Sequence, residues 1–324
     1  MHKILRNGKA KVMRLRFDVL VVLLVLIGGM SIKSYAQQDP MYTQYMFNTQ
    51  AINPGYVGSW NTLGFMFLTR QQWVGFEGHP QTNTFSVQSY VPNHDNVGVG
   101  LSVMHDKTGL EKRFAFFADY SYRLKLNEET SLRLGLKGGF MQYQNNLNEY
   151  TLEKDGRSDP MFQGVVSKMM PNFGIGAYLH SERYYVGLSV PKLLENGFNN
   201  SQISDKVKAE NRHIYIMGGA VFNVNEDIKF KPSTLVKVVG NSPVQVDINA
   251  NFLLKDKLWL GGMYRTGDSF GVIGQWMFDK SLRIGYAMDF TTSELKNNHS
   301  GVHEIMITYE FKWERNTVRS PRYF

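Results

Sequence analysis

The sequence predicts an all-β fold, a transmembrane antiparallel β-barrel of about 14 strands with short periplasmic turns and longer outer loops. From residue 63 onward, apolar and polar residues alternate with a period of two, which is the pattern of a β-strand. The alternating runs hold about 9–13 residues. That length fits a tilted membrane-spanning strand, about 9–11 residues, better than a soluble strand of about 5–6 residues.

Residues 1–36 have the features of a cleaved secretory signal peptide. A basic lead precedes an apolar core of 11 residues, Phe17 to Ile27, and the sequence SYAQ offers a small-residue cleavage site after Ala36. The apolar core is too short for a membrane-spanning helix. The basic lead is long for a signal peptide, so Met13 is an alternative to Met1 as the initiator.

The excess positive charge lies mainly in this leader. It holds seven of the 36 Lys and Arg residues and one of the 28 acidic residues, so the formal net charge of +8 falls to +2 in the mature chain. No clustered basic face is visible, which argues against nucleic acid as a partner. The chain has no cysteine, which excludes disulfides, thiolate metal sites and a lipoprotein anchor.

Residues 37–62 form a signature segment that is rich in aromatic and turn-forming residues and almost free of charge. We interpret it as a possible plug at or inside the periplasmic mouth of the barrel, with asparagines and a proline setting its turns and aromatic rings packing on the lumen wall. A loose lead-in strand is the alternative. The residues expected to set turns or pack are Tyr42, Tyr45, Phe47, Asn48, Asn53 and Pro54.

The barrel itself is expected to span residues 63–313. Its candidate strands lie near residues 63–71, 82–91, 96–104, 112–124, 131–144, 171–180, 183–190, 211–223, 227–239, 243–254, 257–266, 268–278, 280–290 and 301–313. An even number of strands returns both ends to one side of the membrane, as bacterial single-chain barrels require. Residues 314–324 are polar and basic and are expected to form a periplasmic tail.

The connections between these strands differ systematically in length. If the chain starts in the periplasm, the even-numbered connections are periplasmic turns, and they are the short sequences PNHD, NEE, SE, NED, KD and D. All four long connections, among them residues 145–170 and 191–210, have odd positions and face outward. Outer-membrane barrels show this asymmetry, whereas a soluble sandwich would scatter its long loops over both ends.

The two faces of the predicted strands differ in polarity: one is apolar and the other carries charge in nearly every strand. A soluble periplasmic sandwich would show the same alternation, so alternation alone does not separate the two folds. In a barrel the charges would line the lumen, either as a pore lining or, as their mixed signs favour, as an ion-pair network that fills it. The expected lumen charges are Arg113, Asp119, Arg123, Arg133, Lys137, Asp247, Arg265, Arg283, Asp289 and Glu304.

The sequence offers little support for catalysis or for a metal or other cofactor. The histidines show no i, i+3 or i+4 pairing, and HE at residues 303–304 lacks the second histidine of a zinc helix. No G-x-S-x-G motif is present. In the first outer connection, RQQWVGFEGHPQT, Trp73 and Phe76 either belong to an aromatic belt or form a contact for a partner protein.

Sequence blocks along the whole mature chain resemble the PorP/SprF family of type IX secretion-associated outer-membrane proteins. They include QQDPMYTQYMFN, INPGYVGS, RQQWVGFEGHPQT, VGVGLSVMHDKTG, YYVGLSVPKLL, DKLWLGGMYR and GVHEIMITYEF. The resemblance implies an outer-membrane barrel that is not an enzyme and that accompanies the type IX secretion and gliding machinery. Members support the export or surface attachment of particular surface proteins, so a secreted partner protein and type IX components are the expected partners.

Two other functions stay open at this point. The barrel could be a passive channel for small or hydrophobic solutes, which single-channel conductance would reveal. It could also be a barrel enzyme, which a nucleophile-directed probe would label.

Overall fold

A computed structural model describes residues 39–60, 62–146, 165–199, 206–208, 211–240, 242–279, 281–292 and 300–311 of the 324-residue chain. The expected signal peptide, residues 1–36, and the expected tail, residues 314–324, lie outside the described residues. All the strands belong to one compact unit, residues 37–240 and 244–324.

The fold is almost entirely antiparallel β-sheet. In chain order its strands are β1 (Gly64–Gln71), β2 (Gln81–Val91), β3 (His94–Thr108), β4 (Glu111–Lys125), β5 (Ser131–Asn146), β6 (Val165–His180), β7 (Tyr184–Val190), β8 (Gly197–Asn199), β9 (Lys206–Lys208), β10 (His213–Ala220), β11 (Phe222–Asn223), β12 (Ile228–Val239), β13 (Gln245–Leu254), β14 (Leu258–Arg265), β15 (Ser269–Met277), β16 (Leu282–Thr291) and β17 (Val302–Glu310). Strands β8 and β9 pair with each other in a separate two-stranded sheet. Within the described residues the helical elements are α1 (Thr49–Ile52) and a 3-10 turn (Pro54–Tyr56).

The main sheet closes on itself. Consecutive strands pair from β1 to β7, β7 pairs with β10, and both β10 and β11 pair with β12, from which pairing continues to β17. The first strand then pairs with the last, from Gly64 opposite Glu310 to Gln71 opposite His303. Since β10 and β11 are two parts of one strand interrupted at Val221, the barrel has the predicted 14 strands, and a sandwich is excluded.

Two strands are clearly longer than the sequence-based expectation: β3 extends over His94–Thr108 rather than residues 96–104, and β6 begins earlier, whereas β7 agrees with it to within one residue. Strand β6 begins at Val165 rather than at residue 171, so β3, β4, β5 and β6 are all 15 or 16 residues long. Strand β7 has only seven residues because Pro191 follows it, and proline lacks the N–H that the ladder needs. The chain then leaves the regular register, and the Leu193 amide donates to the Phe173 carbonyl.

The two faces of the barrel reverse the distribution of a soluble protein. Along β13, Asp247 is 4% exposed while its neighbour Ile248 is 55% exposed; along β17, Glu304 is 1% exposed and Ile305 is 44% exposed. Apolar side chains therefore cover the outer wall, where lipid replaces water, and charges face the lumen. Neither α1 nor another helix in the described part of the chain is long and apolar enough to cross a membrane.

The two ends of the barrel differ in their connections. At one end, which we call the short-connection end, the strands are joined through residues 92–93, 126–130, 181–183, 224–227, 255–257 and 278–281. The four longest sequence separations between consecutive barrel strands fall at the other end, the long-connection end: from Gln71 to Gln81, Asn146 to Val165, Val190 to His213 and Thr291 to Val302. Three shorter separations fall there too. In outer-membrane barrels the short turns are periplasmic, which assigns the long-connection end to the cell surface.

Candidate functional site in the barrel lumen

Residues 39–60, here called the luminal segment, lie inside the barrel and are almost completely buried. The local sequence sets the path of the chain. Asn53 caps the 3-10 turn by accepting the Gly55 amide at 2.8 Å, and Pro54 holds the first position of that turn. Gly58 follows with a φ of +77°, a conformation that favours glycine. Asn48 stands at the N-cap of α1, but its side chain makes no capping hydrogen bond.

The first part of the luminal segment binds a cluster of charges near the long-connection end. Glu304 accepts two consecutive backbone amides, from Thr43 at 3.0 Å and Gln44 at 2.9 Å. The Thr43 hydroxyl donates to Asp289 at 2.6 Å and accepts from Arg70 at 2.8 Å. Arg70 also lies 3.3 Å from Asp289 and 3.2 Å from Glu304, so one arginine joins both carboxylates to the segment.

A second ion pair stands beside this cluster. Arg265 and Asp247 face each other across the β13–β14 register, with a shortest separation of 2.8 Å between guanidinium and carboxylate. Arg265 also donates to the Tyr42 carbonyl at 3.4 Å, and the Tyr42 hydroxyl lies 2.7 Å from the Thr84 hydroxyl. Tyr42 is thereby bonded directly to strands β2 and β14, and through Arg265 it is linked to Asp247 of β13.

Halfway along the lumen, Gln50 of the luminal segment makes the main hydrogen bonds to the wall. Its side-chain amide donates to the Val87 and Leu101 carbonyls and to Asp119, the last at 3.2 Å. Asp119 is paired with Lys137 at 3.0 Å, and the Lys137 ammonium also donates to the Gln50 carbonyl at 3.5 Å. The Asp119–Lys137 ion pair of the wall is thus also hydrogen-bonded to Gln50 of the luminal segment.

The last part of the segment fits a smooth, glycine-lined strip of wall near the short-connection end. A Cβ added at Gly135 would collide with the Gly55 amide, and one at Gly98 would collide with the Val57 carbonyl. A Cβ at Gly176 would likewise collide with the Asn53 side chain. Because these wall positions carry no side chain, the backbone of residues 53–58 lies directly on the sheet.

Hydrogen bonds fix this contact. Asn53 donates to the Ala177 carbonyl at 3.0 Å, and Ser189 donates to the Ile52 carbonyl at 3.0 Å. Ser121 donates to the Val57 carbonyl at 2.5 Å. These bonds hold the segment to β4, β6 and β7 at once.

Aromatic packing fills the space between the polar contacts. The Phe47 ring lies 5.9 Å from the Trp259 ring, and the Lys231 ammonium lies over Phe47 at 4.8 Å. The Tyr56 ring meets Tyr178 edge-on at 5.3 Å. Tyr45, which the sequence also assigned to wall packing, is 1% exposed within the same apolar cluster.

The luminal segment passes through the lumen from end to end. Asp39 lies at the long-connection end, where it is 2.8 Å from Lys192 and 3.5 Å from His213. Trp60 lies at the short-connection end, where Arg283 stands over its ring at 5.6 Å. The segment therefore reaches further than the periplasmic mouth, where the sequence placed it, because its polar contacts continue along the whole height of the wall.

The predicted lumen charges all face inward, but they do not share one environment. Arg283 pairs with Glu310, and Arg113 pairs with Glu111 at 3.3 Å. Arg133 instead donates to the Gly58 carbonyl at 2.6 Å. Arg133 also stands opposite Arg123 across the β4–β5 register, and none of the described carboxylates is within ion-pair distance of either.

The first outer connection, residues 72–80, is tied to its neighbours by its backbone. Val74 exchanges backbone hydrogen bonds with residues 300 and 301, and the Gly109 amide donates to the Gly78 carbonyl at 2.8 Å. Trp73 has a φ of +56° and is half-buried, while Phe76 is 55% exposed. The two aromatic residues thus differ in exposure: Trp73 is half-buried and Phe76 is largely exposed.

The described residues hold no group of three or more His, Cys, Asp or Glu side chains that could bind a metal ion. Sequence reasoning missed several lumen residues. Arg70 was assigned to the outer loop, although the alternation Met66, Leu68, Arg70 along β1 points it inward. Gln50 and the wall glycines gave no signal of their own, because their roles depend on which strand lies opposite.

Comparisons with known proteins give one family match. The model of the family described as type IX secretion system membrane protein PorP/SprF matches residues 34–309. No curated protein matches the sequence. Among solved structures, the chain is similar to the Acinetobacter baumannii outer membrane protein Omp33, with 8% identity, a TM-score of 0.47, and coverage of 78% of this chain and 100% of that one. It is also similar to the CymD monoaromatic hydrocarbon channel, with 10% identity, a TM-score of 0.48, and coverage of 87% and 96%.

Proposed function

The chain belongs to the PorP/SprF family of type IX secretion system membrane proteins, and from this premise we propose that it is a closed barrel that supports export or surface attachment of a partner protein. It resides in the bacterial outer membrane. The family is one of membrane barrels in a secretion system and not an enzyme family. In the proposed role the protein works by non-covalent recognition, with the barrel as the membrane anchor.

The observation that carries the proposal is the luminal segment. It contacts the wall at the long-connection end through Glu304, in the middle through Asp119 and near the short-connection end through Ala177. Glu304 and Asp119 have partners both in the wall and in the luminal segment. Moving the segment away would leave these buried charges without some of their partners, which is energetically costly. A lumen filled in this way suits an anchor better than a passive channel for solutes, which needs an open path.

The first outer connection is the best candidate for partner recognition. Its backbone is fixed by neighbouring loops, and Phe76 projects from it with 55% of its surface exposed. A rigid loop that presents an aromatic side chain loses little entropy on binding, and aromatic side chains are frequent hot spots of protein interfaces. Trp73, half-buried in the same loop, would hold the loop in shape and add to the contact.

The test is complementation in a strain that lacks the gene. Cells carrying wild-type protein, Phe76→Ala or Phe67→Ala are compared by surface proteomics. Phe67 is the matched control because it is similarly exposed, at 41%, but on the lipid-facing wall. We expect Phe76→Ala to deplete one surface protein severalfold while Phe67→Ala leaves it unchanged.

Barrel assembly is checked by the mobility shift of unheated protein, so a folding defect is recognised separately. If deletion of the gene leaves every surface protein in place, the secretion role is wrong. If deletion removes a surface protein but Phe76→Ala does not, the role stands and the assignment of this loop is wrong.

A further inference from the structure

Two lysines stand side by side on the outer wall of the barrel, close to the long-connection end. Lys107 of β3 and Lys112 of β4 are direct partners in the antiparallel register, and Gln144 of β5 lies opposite Lys112. Both lysine side chains are exposed. They lie on the lipid-facing side, because Phe114, two residues from Lys112, is an outward residue with 41% of its surface exposed.

Their height along the strands corresponds to the edge of the apolar band. Below them the outward positions on β4 are apolar or aromatic, Phe114, Phe116 and Tyr120, while on β3 His105 lies between Lys107 and the apolar Val103 and Leu101. Lys112 is two residues from Phe114, a distance of about 7 Å along the strand. The lysines therefore lie just beyond the aromatic rim of the wall, at the level where lipid headgroups begin.

The acidic residues next to these lysines point to the lumen face of the sheet, where they already have hydrogen-bond or ion-pair partners. Asp106 accepts a hydrogen bond from Thr82 at 2.6 Å, on the lumen side. Glu111 pairs with Arg113 and accepts from the Tyr143 hydroxyl at 2.9 Å. Among the described residues no carboxylate is within ion-pair distance of Lys107 or Lys112, so the described part of this outer surface carries two positive charges side by side.

A cavity of about 130 Å³ lies between these side chains. It is lined by Lys107, Lys112, Gln144 and Asn146, with Gly109 and Leu110 of the β3–β4 turn at its edge. The cavity combines two cations, amide groups and one apolar side chain. That set of groups fits a phosphate attached to a lipid, since ammonium and amide groups donate hydrogen bonds to phosphate oxygens.

We propose that this cavity binds the phosphate group of an outer-leaflet lipid headgroup. Lys107 and Lys112 neutralise the phosphate, Gln144 and Asn146 donate to its oxygens, and Leu110 contacts the apolar part of the lipid. Such a site would fix the height of the tall wall formed by β3 to β6 relative to the membrane surface.

The experiment is native mass spectrometry of the full purified chain in detergent. The probes are diphosphorylated lipid A, the same lipid after enzymatic dephosphorylation, and inorganic phosphate. The test variant is Lys107→Gln/Lys112→Gln. The control is Lys255→Gln/Lys257→Gln, which removes the same charge from an exposed turn at the short-connection end.

We expect wild type and control to retain the diphosphorylated lipid equally and the test variant to bind it about tenfold more weakly or worse, because two charge-assisted hydrogen bonds are lost. Equal binding by the test variant would overturn the proposal, and so would equal binding of the dephosphorylated lipid by wild type. Binding of inorganic phosphate as tightly as of the lipid would point to a free-phosphate site instead. The dephosphorylated-lipid comparison uses wild-type protein only and therefore does not depend on how the variants fold.

Discussion

Replacing Gly135 with alanine tests whether the lumen wall is shaped to fit the luminal segment. The added Cβ would collide with the Gly55 amide and with the carbonyl carbon of Pro54, both backbone atoms. No side-chain rotation relieves such a collision, so residues 53–58 must move away from β5. Overpacking of this kind typically costs about 1–3 kcal/mol.

The displacement would also break hydrogen bonds that depend on the position of the turn. This movement would stretch three hydrogen bonds between the segment and the wall: Asn53 to Ala177, Ser189 to Ile52 and Ser121 to Val57. At about 0.5–1.5 kcal/mol each, their loss adds about 3 kcal/mol if all three break. Gly135→Ala should therefore lower the free energy that holds the segment in the lumen by several kcal/mol.

Hydrogen exchange of the amides of residues 53–58, measured on the barrel in detergent, reads this effect directly. The matched control is Gly138→Ala in the same strand, whose added Cβ would meet only the Phe173 ring at 3.7 Å, an ordinary contact. We expect faster exchange in Gly135→Ala and wild-type exchange in Gly138→Ala. Equal protection in both variants would refute the idea that the glycine-lined wall positions the segment.

Two further predictions concern the other end of the segment. Glu304→Ala and Glu304→Gln should both lower the thermal unfolding midpoint, because both remove one partner of a buried ion pair at a cost of about 3–5 kcal/mol. Glu304→Ala should lower it further, since a glutamine oxygen can still accept one of the Thr43 and Gln44 amides whereas alanine leaves both buried amides unpaired; equal midpoints for the two variants would contradict this. Burial opposes ionisation of Asp39, but the charges of Lys192 and His213 outweigh it and hold its pKa below the usual range. The contact should thus stay intact as the pH falls from 7 to about 4, the ordinary pKa of an aspartate, and weaken only below it. The Asp39→Asn variant should release this end of the segment already at pH 7. An added protease should then cleave the segment faster in the variant than in the wild-type protein. Equal cleavage rates of the two proteins at pH 7 would contradict this prediction.

The barrel was predictable from the sequence because its signal is repeated in every strand. Alternation places Ile248 outward and Asp247 inward without reference to any other part of the chain. The rule that long connections have odd positions and short turns have even positions along the chain likewise needs only the order of the strands. These local signals were enough for the number of strands, the direction of each face and the difference between the two ends.

The lumen contacts were less predictable because they join residues far apart in sequence. The bond from Thr43 to Asp289 spans 246 positions, and nothing in either neighbourhood identifies the partner. Gly135 and Gly176 look like ordinary strand glycines until the turn at residues 53–58 is placed against them. The sequence did mark Asn53 and Pro54 as turn formers, since that property is local, but it could not show how far along the lumen the segment runs.

Single-channel recording of purified protein comprising residues 37–324 in planar bilayers tests most directly whether the luminal segment closes the barrel. The contacts of residues 39–60 with the wall leave no reason to expect a continuous aqueous path, so most incorporated barrels should pass little current at moderate voltage. A stable, porin-like ion conductance from each incorporated wild-type barrel would contradict the account and favour a passive channel.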